Sequence, residues 1–410
     1  MKKQYTRWKT MNKVELLAPS GSLDKLKIAF LYGADAVYIG GRNFSLRANA
    51  TNFSIEEIFD ACSYAHNINK KVYVTVNIIF HNDNIEGLVD YLKELEACKV
   101  DAIISSDPMI IDVIKENNIN LKIHLSTQMS CANTESALFF KDLGVERVVL
   151  ARECSRENIK SIIDNAKIEV ETFVHGAMCS SYSGRCVLSN YFTKRDANRG
   201  GCAQICRWTF DLCDKNKNII ESDTKFTMST KDLSMIDNLK DMIDIGITSL
   251  KIEGRMRSNY YIATVVSTYR EAIDNYYNNT LTEEKIAYYK KVLNRVANRE
   301  SISQFYNSFP GVEGQYFLGR QEISNQDFLG VVLDYDDDNH IVTLVQKNYF
   351  KPKDKVSMFG PSIETFDFEI PNIYDIDNNK LEVARHPEEI IKFKLDKKVY
   401  KDDIMRVKLD

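Results

Sequence analysis

Proline, tryptophan and histidine are scarce, at 7, 2 and 6 in 410 residues. So little proline, with 27% charged and 44% apolar residues, excludes collagen-like and disordered chains and fits a globular protein. No apolar run approaches the roughly 20 residues of a membrane-spanning helix, so no membrane partner is expected. The basic start, MKKQYTRWKTMNK, lacks the apolar stretch of a secretory signal, and a cytoplasmic location is expected. A strong excess of one charge sign is also missing. At a net charge of −4, contact with nucleic acid has to come from local basic patches. There is no G-x-G-x-x-G or P-loop pattern, no H-E-x-x-H and no G-x-S-x-G, so the common dinucleotide, nucleotide, zinc-protease and serine-hydrolase signatures are absent.

Cysteine, by contrast, is plentiful and unevenly placed. Nine is an odd number, and without an export signal a disulfide scaffold is not expected. Cys62, Cys98, Cys131 and Cys154 are scattered and read as small buried hydrophobes. Cys179, Cys186, Cys202, Cys206 and Cys213 are clustered and call for a chemical explanation.

Short β-branched runs recur at 14–18, 36–40, 71–77, 100–105, 121–126, 145–151, 168–175 and 249–253. Helix-period segments separate most of them, such as 84–98 with Ile85, Leu88, Val89, Leu92 and Leu95 on one face. Eight near-continuous apolar strands alternating with helices predict an α/β fold, a (β/α)8 TIM-like barrel over residues 14–258, rather than an open doubly wound sheet. About 80 residues separate the starts of the last two runs, Ile168 and Ser249, so a Cys-rich insertion is placed at 177–245. Residues 1–13 read as a basic N-terminal extension and 259–300 as a helical linker. The linker's tyrosines read as packing residues before they read as a surface for bases. Alternation such as Phe366, Phe368 and Ile370 against Asp367 and Glu369 predicts a C-terminal β-domain, a small β-barrel, over 301–410.

In such barrels chemistry sits on the loops after the strands. Beyond the seventh run, four thiols follow the spacing C-x6-C-x15-C-x3-C, which suits a tetrahedral sulfur site holding either zinc or an iron–sulfur cluster. The same loop carries Arg185, Lys194, Arg195, Arg199 and Arg207 against one acid, Asp196, with Tyr182, Tyr191, Phe192 and Trp208 between them. That composition suits RNA, although such charge is also found on ordinary solvated faces.

Several segments carry a family likeness. ETFVHGAMC (171–179), SGRC (183–186) and LS (188–189), with ELLAPSG (15–21), GADAVYIGG (33–41) and KIEGRMRS (251–258), resemble the collagenase-like peptidases of unassigned catalytic type, peptidase family U32. The longer form with RDANRGGCAQICRW (195–208) resembles that family's tRNA hydroxylation branch. The resemblance implies prephenate-dependent formation of 5-hydroxyuridine at the tRNA wobble position. It also implies a 4Fe–4S cluster on Cys179, Cys186, Cys202 and Cys206, with Cys213 as the substitute for Cys206, and zinc as an occupant in protein prepared in air. The partners it implies are the tRNA anticodon loop and an electron-transfer protein.

A dicarboxylate such as prephenate calls for arginine forks. Strand-end arginines are Arg42, Arg47, Arg152 and Arg255. The expected substrate-binding set is Arg47, Asn77, Gln128, Arg152, Arg255, Arg195 and Arg199. His175, Glu253 and Glu153 are the expected catalytic residues. His175 reads as tuning a cluster, donating protons or filling the core, and Glu253 as catalytic or as the ion-pair partner of Arg255 or Lys251. The alternative functions are a collagenase-like peptidase, a ribosomal RNA hydroxylase and an RNA-binding module without catalysis. Few histidines leave a peptidase nucleophile few candidate bases.

Overall fold

Strands that are apolar on both faces need cover on both, and here they obtain it by closing on themselves. The computed structural model describes residues 13–46, 52–183, 185–220, 225–297, 299–318 and 327–409. The strands are β1 (Glu15–Pro19), β2 (Ala36–Gly40), β3 (Lys71–Val76), β4 (Ala102–Ser105), β5 (Ile123–Leu125), β6 (Arg147–Val149) and β7 (Glu169–Gly176), with β8 (Asp232–Ser234) and β9 (Ser249–Ile252) following. β1 to β7 pair in parallel in sequence order, and β9 closes the ring by pairing in parallel with both β7 and β1. The eight runs read from the sequence are these eight barrel strands.

Helices α1 (Leu23–Leu31), α2 (Ile55–Asn67), α3 (Leu88–Ala97), α4 (Met109–Glu116), α5 (Thr134–Asp142) and α6 (Arg156–Ala166) cover the outside. Most start at a side-chain cap, as Ser54 and Glu57 do in the capping box of α2. α7 (Leu188–Thr193) and α8 (Leu239–Asp244) lie in the long insertion. β8 is an addition to the ring: it runs antiparallel to the end of β7 and carries the short β10 (Ser301–Ile302) in parallel.

α9 (Asn259–Tyr277) differs from the linker expected for 259–300. Twelve of its residues are buried, most of them in the barrel's own apolar cluster, so it takes the place of the eighth barrel helix. Lys13–Asp274 (2.8 Å) and Arg270–Asp35 (3.0 Å) pin it to the base of the barrel. Its buried Tyr260, Tyr261 and Tyr269 are packing residues. α10 (Glu283–Val296) packs against it.

The C-terminal unit starts at β11 (Phe328–Asp336), later than the expected residue 301, because β10 belongs to the barrel sheet. β12 (Ile341–Gln346), β13 (Lys355–Phe359), β14 (Phe366–Glu369), β15 (Ile373–Tyr374), β16 (Lys380–Leu381), β17 (Ile390–Lys394) and β18 (Ile404–Val407) complete one antiparallel sheet. Its order is β14-β13-β18-β11-β12-β17-β15-β16, and among the described residues the two end strands do not pair. It is a half-barrel curled over its own core, in the place where a small β-barrel is expected. The stacking of Phe368 on Phe393, 6.1 Å apart, shows the curl.

Candidate functional site

Inside the barrel the side chains form layers. At the base, Arg147 bridges Glu15 (2.6 Å) and Glu171 (3.1 Å), and Lys251 donates to the other oxygen of Glu171 at 2.7 Å. Above it lies an apolar layer containing Leu17, Tyr38, Tyr73 and Ile104. Over that layer, at the C-terminal ends of the strands, opens a cavity of about 180 Å³. Two glycines allow its walls to close in. At Gly176 (φ +111°) a Cβ would lie 2.7 Å from the Glu253 carbonyl oxygen, and at Gly40 only 2.0 Å from Arg255 Nη1.

A residue three positions beyond β6 sets one wall. Arg152 lies on the Phe173 ring at 3.8 Å, donates to the Ala177 carbonyl at 3.0 Å and pairs with Glu253 at 3.3 Å. Glu253 therefore pairs with Arg152 instead of Arg255 or Lys251. Arg255 is buried and donates to Ser45 Oγ (3.0 Å), Thr75 Oγ1 (3.3 Å) and the Leu46 carbonyl. Asn77 Oδ1 accepts from the Leu46 N–H at 3.2 Å, and among the described residues its amide NH2 is the group left to meet a ligand. Gln128 lines the same space.

The insertion folds over the cavity and is fixed at several points. Glu153 accepts from the Ser183 N–H (3.0 Å) and hydroxyl (2.7 Å), which commits both carboxylate oxygens to that loop. Asn198 grips Cys186 at both backbone groups, accepting from its N–H at 3.3 Å and donating to its carbonyl at 2.9 Å. The Asn198 carbonyl in turn accepts from Ile79 N–H at 3.0 Å. Cys179, Cys186, Cys202 and Cys206 all line the cavity, and Cys213 does not. Among the described residues no three or more metal-ligating side chains are gathered at metal distance, so the four thiols share a wall without forming a ready ligand set. Their chemistry and shared cavity fit a group bound through sulfur.

The match to known families follows the same division of the chain. Residues 21–316 match the family model described as peptidase family U32, and 324–406 match the one for the family's C-terminal domain. The chain belongs to peptidase family U32. It is 49% identical over 403 residues to "tRNA hydroxylation protein P1" of Bacillus subtilis, covering 96% of this chain and 94% of that one. It is 37% identical to an Escherichia coli 23S rRNA 5-hydroxycytidine synthase, over 64% of this chain and 40% of the other. It is also 34% identical to a collagenase of Porphyromonas gingivalis, over 72% and 74% of the two chains.

In this U32 chain not every expected site residue reaches the cavity. His175 does not: its ring packs against Tyr269 (5.6 Å) and Tyr261 (6.1 Å) on the side facing α9. Burial, reinforced by Arg257, holds its pKa down to about 3, so it is a neutral core histidine. Strand alternation alone would put it on the same face as Phe173, two residues earlier, which lines the cavity; the register shift between the two turns it outward. Arg195 is exposed outside the cavity, and Arg199 is spent on Asp83 at 3.1 Å. Arg47 lies outside the described residues. Sequence reasoning missed Asn198 as the clamp on Cys186, although it sits in the quoted RDANRGG segment, and missed Ser183 as the target of Glu153. Neither role has a signal in spacing, since each is a contact between distant loops.

Proposed function

We propose that this U32 protein hydroxylates carbon 5 of the tRNA wobble uridine, with prephenate as co-substrate and a 4Fe–4S cluster on Cys179, Cys186, Cys202 and Cys206. The observation that carries this reading is the meeting of those four thiols with the Arg152–Glu253 pair and the amides of Asn77 and Gln128 in one cavity at the barrel mouth. The cluster, when bound, would supply one-electron chemistry at the cavity wall, and a redox partner protein would take up the two electrons that the oxidation releases. A pyrimidine flipped out of its strand enters this pocket. The Asn77 NH2 donates to a uracil carbonyl oxygen. Replacing C5–H by C5–OH with oxygen drawn from water releases two electrons, which leave to the redox partner, and two protons, of which Glu253 accepts one, held in place by Arg152, and solvent the other. Arg152 and Arg255 are the cations that meet the carboxylates of prephenate. Glu153 acts by holding the Cys179–Cys186 loop.

Transfer RNA is favoured over ribosomal RNA because the relative named for tRNA aligns over nearly the whole chain, whereas the rRNA-named one aligns over 64%. Against peptidase chemistry, no histidine is among the described residues lining the cavity, so neither a cysteine nor a serine there has an imidazole base. Nucleoside analysis of tRNA from a strain lacking the gene tests the reading. Loss of 5-hydroxyuridine and its derivatives is expected, with return on complementation by the wild type but not by Cys179→Ala. Undiminished 5-hydroxyuridine in the deletion strain refutes it.

A further inference from the structure

The outer face of the insertion has features that neither packing nor the cavity explains. α7 shows two different sides. Leu188 and Ser189 face inward and line the cavity, and Ser189 Oγ accepts from the Ala203 N–H at 3.1 Å, which ties the helix to the Cys202 loop. On the other side Tyr191 is 84% exposed and Phe192 54% exposed, with Phe192 held edge-on by Phe210 at 5.9 Å. Exposing two large rings side by side forfeits the free energy of burying them, so the surface calls for an occupant. Arg185, Lys194 and Arg195, from the same segment of the insertion, are exposed. Among the described residues none of the three has a carboxylate partner, in contrast to Arg199 with Asp83. The one acid in the segment, Asp196, is turned to its own backbone, accepting from the Asn198 N–H at 2.8 Å. Arg185 Nε is fixed at 3.2 Å to Ser130 Oγ, two residues from the cavity-lining Gln128, which places this cation at the rim.

We propose that Tyr191 and Phe192, with Arg185, Lys194 and Arg195, form the platform on which the single-stranded RNA flanking the target base lies while that base enters the cavity. Stacking rings interleaved with unpaired cations match unpaired bases and their phosphates, and a wholly apolar protein partner has no use for the cations. The platform shares α7 with the cavity wall, so the strand reaches the thiols without leaving the insertion. The inference rests on the RNA-modifying reading above and adds where the strand lies.

The test is fluorescence anisotropy of the full-length protein with a labelled anticodon stem-loop, over a series of salt concentrations, with a blunt RNA duplex as comparison. Tyr191→Ala weakens loop binding about tenfold, Tyr191→Phe restores it, and the duplex is unaffected. Lys194→Ala with Arg195→Ala reduces the slope of log affinity against log salt by about 0.7 for each phosphate no longer neutralised. Tyr191 is exposed enough that its replacement leaves the fold intact, which circular dichroism confirms. Wild-type affinity and salt slope in these variants, in a protein whose deletion does abolish 5-hydroxyuridine, overturn the platform alone. Loss of a protein partner in place of RNA by Tyr191→Ala overturns it too. An unchanged nucleoside profile in the deletion strain overturns the function beneath it.

Discussion

Glu171 is fully buried in the barrel interior, and a lone carboxylate there would be neutral. Burial opposes its charge, but Lys251 and Arg147 outweigh that and hold its pKa down to about 2. His124, in the same network, is kept neutral by burial and by Arg147, at about 3. The Glu171 carboxylate has a lower pKa folded than unfolded, where about 4.3 is usual. Its stabilisation is therefore complete above about pH 4.5 and is lost as pH falls towards 2. Glu171→Gln leaves Lys251 short of a partner and should lower stability by about 3–5 kcal/mol in urea unfolding at pH 7. The variant should also lose less stability than wild type between about pH 4.5 and 2. At this scale the sequence identifies thiols better than carboxylates. Cys62, Cys98, Cys131 and Cys154 are buried as their scatter implies, and burial raises the thiol pKa of Cys62 and Cys154 to about 12. The pairing of Glu253 with Arg152, and the burial of Arg147 with Glu171, depend on which strands become neighbours, and local sequence does not contain that.

The insertion is the element on which the site depends, and it has little core of its own. Its shape comes from side chains gripping backbone: Glu153 on Ser183, Asn198 on Cys186, and Thr227 on the Cys206 carbonyl at 3.2 Å. Asn198→Ala removes two hydrogen bonds, each worth about 1 kcal/mol, from the segment that carries Cys186. With the cluster proposed above reconstituted anaerobically, this variant should release iron to a chelator several-fold faster than wild type while its thermal midpoint hardly moves. Equal release rates would show that the clamp does not position the thiol. The wide C-x6-C-x15-C-x3-C spacing pointed to one sulfur site, and the fold brings all four residues to one cavity. The same stretch gave no sign that His175 turns outward, because strand alternation near a register shift is settled only by pairing.

At the scale of the molecule, the half-barrel docks on the barrel through rings and a few charges. Tyr32 meets Phe359 at 6.0 Å and donates to the Asp402 carbonyl at 2.7 Å, Tyr260 stacks flat on Phe328 at 4.6 Å, and Arg295 pairs with Asp327 at 2.8 Å. Next to the Tyr32 contact, burial pushes the Asp403 carboxyl up to about 7, with Asp402 adding repulsion. A carboxyl raised above its unfolded value favours the fold while protonated, so its contribution disappears as pH rises from about 4 to 7. Asp403→Asn should therefore raise the thermal midpoint clearly at pH 8 and little at pH 5, as scanning calorimetry can measure. An equal change at both pH values would remove Asp403 as the cause.

The eight-strand barrel, the place of the insertion, the β-rich C-terminal part and the family all follow from the chain read linearly. Each is written in local periodicity, spacing or contiguous motif, and local pattern survives reading one residue at a time. Folding in three dimensions was needed to establish that α9 completes the barrel, that the C-terminal sheet curls into a half-barrel, that Cys206 and not Cys213 faces the cavity, and that Arg199 and His175 stand apart from it. Those outcomes depend on which distant segments become neighbours, where the energies of burial and charge pairing are set by contacts between residues far apart in the chain.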